Sequence, residues 1–146
     1  MIKALIVGFV VVCLGMLLSV GCSVQKRELT SQQFWSEFRQ AVLAQNNQKL
    51  IEMTQFPLEV LGVDDSQPSV QYGKEQFEVV FNKILEQPVI FFEGDVVVTR
   101  TTKEIVHETT AIIQDHFMTK ESFRVDQLVF ELKDKQWRLV RAYLEE

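Results

Sequence analysis

The first 22 residues, MIKALIVGFVVVCLGMLLSVGC, constrain this chain more than any other stretch, because they decide how much of it is left to build a core. Lys3 carries the only charge of the segment, Ala4 to Leu18 is an apolar run interrupted by glycines and Cys13, and Ser19, Val20 and Gly21 are small residues leading into Cys22. A charged start, an apolar run and small residues before a cut site are the three parts of a secretion signal. The run is at the short end for a spanning helix, which needs about 17 to 25 residues. Cleavage before Cys22 removes 21 of the 146 residues and leaves 125, a length that suits one domain with a single core. Cys13 and Cys22 are the only cysteines, so the remainder has no internal disulfide. It must be held by apolar packing, for which eleven Phe and two Trp supply the material.

Leu18-Ser19-Val20-Gly21-Cys22 resembles the bacterial lipoprotein signal, with Gly21 at the −1 position and Val20 at −2. That family prefers Leu, Val or Ile at −3, and here Ser19 stands there. The resemblance implies cleavage between Gly21 and Cys22, acyl chains on Cys22, and attachment to the membrane in the bacterial cell envelope. Ser23, where an Asp retains such proteins at the inner membrane, implies the outer membrane, facing the periplasm, if the cell has two. Ser19 and Gly21 also suit the ordinary signal peptidase, so a freely secreted domain and an uncleaved anchor stay open. Cys13 is discounted as a rival acylation site because Val12 occupies its −1 position. The expected division is a signal peptide at 1–21, a lipidated cysteine and tether at 22–29, and one domain at 30–146.

Loss of Lys3 takes the formal charge from −5 to −6. A mildly acidic domain with scattered basic residues does not attract nucleic acid, and that class of partner is excluded. Residues 23–29, SVQKREL, form a polar tether that reaches at most roughly 25 Å when extended.

Beyond the tether the apolar spacing first has a helical period. Thr30 and Gln33 make a capping box and Leu29 with Phe34 a hydrophobic staple, so a helix is predicted, carrying Phe34, Trp35, Phe38, Ala41 and Val42 and ending at Asn46-Asn47. A short second helix with Leu50, Ile51 and Met53 leads into Phe56-Pro57 and a strand through Leu58 and Val60. Residues 62–71 read as a loop. A third helix follows from about Gly73, with Phe77, Val80, Phe81, Ile84 and Leu85 on one face, and Pro88 stops it. From Val89 the period is two. Val89 to Phe92 reads as a buried strand, Val96 to Phe117 as one bent strand or two, and the last two strands as a hairpin turning at Asp134-Lys135.

Helices first and antiparallel strands after predict an α+β domain, with the helices packed on one face of a curved antiparallel sheet. Element order and spacing from Thr30 to Leu144 resemble the NTF2-like, cone-shaped superfamily, with a cystatin-like arrangement as the rival. The resemblance implies either a binding module or an enzyme with an ionisable side chain facing an apolar pocket inside the cone. Candidates for the latter are Tyr72, His107, Asp115, His116, Arg124 and Asp126. His107 and His116 are nine residues apart, so one regular strand turns them to opposite faces and the expectation is two exposed histidines. No HxxxH, HxH or cysteine pair marks a metal site, and no Gly-x-Ser-x-Gly or phosphate loop occurs. The expected catalytic residues, metal ligands and cofactors are therefore none. Trp35, Phe38, Phe77, Phe81, Phe91, Phe92, Phe130 and Trp137 are read as core, with a cavity lining as the alternative. Thr99 to Thr102 and Thr109-Thr110 read as a solvated strand face or an edge for a partner's strand.

The expected function is a lipid-anchored, non-enzymatic envelope domain that binds a protein partner or a small apolar ligand near the membrane. The alternative is a small cone-fold isomerase, dehydratase or hydrolase acting on an apolar substrate.

Overall fold

A computed structural model describes residues 28–62, 64 and 67–145. The expectations for the signal, its cut between Gly21 and Cys22, and acylation of Cys22 lie outside the described residues. Helix α1 (Ser31–Leu43) starts on the predicted capping box, since Thr30 Oγ1 accepts from the Gln33 N–H at 3.2 Å and Gln33 Oε1 accepts from the Thr30 N–H at 3.1 Å. Asn46 does not belong to the end of α1. It caps α2 (Asn47–Glu52) by accepting from the Lys49 N–H at 3.0 Å. Strand β1 (Thr54–Leu61) contains a cis Phe56–Pro57 peptide and buries Leu58 and Val60. Part of the expected loop is a short strand, β2 (Val70–Tyr72), paired antiparallel with β1. Helix α3 (Lys74–Glu86) buries the five residues expected of it.

The stretch after α3 departs from a run of strands. Strands β3 (Pro88–Glu93) and β4 (Val96–Thr101) pair only with each other, and helix α4 (Thr102–Glu108) interrupts what the composition reads as strand. Glu104 is the cause: its Oε2 accepts from the Thr101 N–H at 2.7 Å while Thr101 Oγ1 accepts from the Glu104 N–H at 3.2 Å, a capping box that overrides the β preference of Thr, Ile and Val. A 3₁₀ turn (Gln114–His116) then precedes β5 (Phe117–Thr119), β6 (Ser122–Val125), β7 (Leu128–Lys133) and β8 (Gln136–Tyr143). The β7–β8 hairpin turns at Asp134-Lys135 as expected, both at positive φ (49° and 62°), which matches the twist of the flanking strands.

The six-stranded sheet runs β2-β1-β8-β7-β6-β5, curved and unclosed, and with the four α-helices of the described residues makes a mixed α+β fold. It is not wholly antiparallel, because β1 and β8 run parallel side by side. The edge strands β2 and β5 have three residues each, too short to template further pairing. One face of the sheet carries Phe123, Phe130, Trp137, Leu139 and Ala142 into the core. Phe130 is the centre of the aromatic packing, with its ring centroid 4.7 Å from Phe123, 4.9 Å from Phe38, 5.7 Å from Phe34 and 5.8 Å from Trp35. Trp35 is fully buried, and its indole N–H donates to the Thr109 carbonyl at 2.8 Å.

Phe130→Ala is expected to cost about 3 to 5 kcal/mol in urea unfolding, because four rings would face the void. Thr101→Ala, which removes a cap and leaves the core intact, should cost about 1 kcal/mol.

Candidate functional site

The space under the curved sheet is filled. The buried polar side chains among the described residues are Thr54, Gln87 and Thr102, and each is hydrogen-bonded. No ionisable group of these residues is in the buried core, whose lining instead includes Trp35, Phe38, Phe77, Phe81, Phe130 and Trp137 as expected. Phe91 and Phe92 are the exceptions among the aromatics read as core: Phe91 is half-buried and Phe92 is 76% exposed.

The six candidate ionisable residues do not converge on one cavity. His107 is exposed near the end of α4, where its carbonyl, with that of Val106, accepts from the Arg39 guanidinium. His116 lies in the 3₁₀ turn, and its Nδ1 accepts from the Ile113 N–H at 3.0 Å. Neither histidine is on a strand, because the segment between them is helix and turn. Asp115 is exposed beside His116, and Tyr72 is half-buried in β2 against the core edge. No group of three His, Cys, Asp or Glu among the described residues is placed to hold a metal ion.

Arg124 and Asp126 do meet. Arg124 lies over the Tyr143 ring at 4.4 Å and donates to the Asp126 carbonyl, while Asp126 Oδ2 accepts from Thr102 Oγ1 at 2.7 Å. Asp126 holds a positive φ of 50° in the β6–β7 turn. Burial lifts its carboxyl above the ordinary aspartate range, against the lowering effects of the Thr102 hydroxyl, the Gln127 N–H and Arg124. The expected threonine face dissolves here: Thr99 is exposed, Thr101 caps α4, Thr102 is fully buried on Asp126, and Thr109 receives Trp35.

A groove of about 250 Å³ opens where the chain enters the domain, with Leu29, Phe34, Met53 and Trp137 as its apolar floor and the Glu37–Lys49 ion pair on its rim. Glu28 pairs there with Lys135 of the β7–β8 turn at 3.5 Å. The opposite end of β8 holds the base of the β3–β4 ribbon. Gln87 Nε2 donates to the Tyr143 carbonyl at 2.7 Å, Gln87 Oε1 accepts from the Glu145 N–H at 3.1 Å, and the Thr102 N–H closes onto the Gln87 carbonyl at 3.3 Å. The eight residues of β8 that separate these ends span roughly 25 Å.

Beyond that base the ribbon stands apart from the sheet. Cross-strand partners share a face, so Pro88, Ile90, Phe92, Val97, Thr99 and Thr101 point one way, and Val89, Phe91, Glu93, Val96, Val98 and Arg100 the other. Arg100 pairs with Glu93 at 2.9 Å and with Glu108 at 2.7 Å, which ties the second face to α4. The first face has no such cover: Ile90 is 63% exposed, Phe92 76% and Val97 59%. The sequence signal is present, since apolar residues run consecutively through both strands around the Gly94-Asp95 turn. It reads as burial because a consecutive apolar run marks a strand covered on both faces. Comparison of the chain with models of known families and with curated proteins finds no match to either.

Asp126→Asn keeps the acceptor for Thr102 and tolerates the positive φ, but does not ionise. A carboxyl with a raised folded pKa contributes most below its unfolded pKa, and loses that contribution as pH rises through the folded value. Thermal melts should therefore show the Asp126→Asn variant gaining on the wild type as pH climbs from below the ordinary aspartate pKa to neutrality. A difference that is flat with pH contradicts this.

Proposed function

We propose that this chain is a bacterial envelope lipoprotein, cut between Gly21 and Cys22 and acylated on Cys22, whose NTF2-like domain is a non-enzymatic binding module for a protein partner. The observation that carries the reading is the separation of two ends. The chain enters the domain beside Lys135, and the apolar ribbon leaves it beside Tyr143. With a short polar tether on the entry side, whose last residues Glu28 and Leu29 dock on the domain, the ribbon is displayed on the side away from a bilayer, where proteins and not lipids meet it.

The element order supports the NTF2-like reading: a long helix, a short one, a strand, a third helix and closing strands, with one face of a curved sheet covered. In this reading the β3–β4 ribbon and α4 are elaborations on that frame. The filled interior, with no ionisable side chain of the described residues inside it, favours binding over catalysis. The largest exposed apolar side chains stand on a protruding ribbon and not in a concave pocket, which favours a protein over a small apolar ligand. Three acyl chains explain durable attachment where one gives only marginal binding.

Detergent phase partitioning tests the anchor. Wild type is expected in the detergent phase and Cys22→Ala, once cut after Gly21, in the aqueous phase, and equal partitioning of the two cut chains would show that Cys22 carries no anchor. Mass spectrometry of the mature amino terminus should find the acyl mass on Cys22.

A further inference from the structure

Ile90, Phe92 and Val97 form one uncharged apolar patch on the free face of the ribbon, flanked by the exposed Pro88 and Thr99. At their exposures the three side chains alone present roughly 400 Å², within the 300 to 600 Å² of the largest patch on a typical monomer, which is often functional. Of the other exposed apolar residues, Val96 is on the ribbon's opposite face beside Glu93, and Val79, Ile113 and Met118 belong to other parts of the fold. A two-stranded ribbon is also marginal by itself and needs a further surface to pack on. Arg100 ties the second face to α4, although Val96 near the tip stays 62% exposed, whereas on the first face Thr101 at the base bonds Glu104 of α4 and Ile90, Phe92 and Val97 beyond it stay exposed.

We infer that this face is a self-association surface, covered in the functional protein by the same face of a second copy. Three features fit one occupant. The patch is uncharged, so it can meet its own image across a two-fold axis without juxtaposing like charges. The area is sufficient: two such faces, with Pro88 and Thr99 added, bury roughly 1,000 Å², which is the floor for a specific interface. The charges around the patch also sort themselves when the ribbons run antiparallel. The tips, each carrying Asp95 and a Glu93 already paired with Arg100, then lie at opposite ends of the pair and away from one another, so no like charges are brought together. The two bases sit at the outer ends of such a pair, so each copy keeps its entry groove and its tether free.

The full chain, purified in detergent and weighed by light scattering corrected for bound detergent, is expected at twice the mass of one chain. Phe92→Asp should raise the dissociation constant of the dimer by roughly tenfold or more, as loss of a central aromatic anchor does. Phe92 is 76% exposed in the single chain, so the variant should keep the circular dichroism spectrum of the wild type. Val79→Asp, on α3 and 65% exposed, should remain dimeric. Cys22→Ala should dimerise like the wild type, which separates this surface from the anchor. A wild-type chain that stays monomeric, whether alone, on lipid vesicles or joined one to one with a different protein, overturns the inference. So does a dimer that needs Cys22, or one that survives both Phe92→Asp and Ile90→Asp.

Discussion

Phe130 is the contact on which the rest of the domain depends. It sits on β7, near the middle of a six-stranded sheet, and four aromatic rings from α1 and β6 pack around it. A curved sheet with helices on one side has an interior that must be either filled or left open. Here the rings fill it, and Trp35 carries the filling outward by donating its N–H to Thr109 just after α4. Gln32 and Arg39, neighbours of Trp35 on the same helix, reach the same segment: Gln32 accepts from the Ile112 N–H at 2.8 Å, and Arg39 donates to the carbonyls of Val106 and His107. One helix therefore both plugs the sheet and fixes the chain that leads from the ribbon back into it.

The ribbon is held by a different device. Gln87 and Thr102, two of the three buried polar residues among those described, bracket it in sequence and bond the end of β8 and the β6–β7 turn. Buried polar groups are costly unless satisfied, and these are satisfied by partners from distant parts of the chain. That makes the base of the ribbon specific while its body stands free of the main sheet, with one apolar face exposed in the single chain. The pattern suits a binding module in which recognition is concentrated in one protruding element and the interior serves only to hold it.

Much of the frame was legible in the residues. The capping box at Thr30 and Gln33, the five-residue apolar stripe of α3 and the Asp134-Lys135 turn are local signals, and local signals report local structure. The misreadings come from competition between signals. Around residue 104 a capping box outweighs β-branched composition and makes α4, which moves His107 off any strand. At Asn46 a residue read as ending one helix instead begins the next. The aromatic residues read as core are core except Phe91 and Phe92, because an apolar strand is buried only if something in the fold arrives to cover it.

By itself the sequence determined the apolar stripes of α1 and α3, the capping box at Thr30 and Gln33, the Asp134-Lys135 turn, the absence of disulfide support beyond Cys22 and the consequent reliance on aromatic packing. Those depend on neighbours within about a turn of helix or on simple composition. Only the tertiary structure decided that β1 lies parallel to β8, that Arg124 and Asp126 meet Tyr143 and Thr102, and that β3 and β4 stand outside the main sheet. Each of these joins residues far apart in the chain. Which strands become neighbours is settled by how the whole chain covers its apolar surface, and no short stretch carries that information.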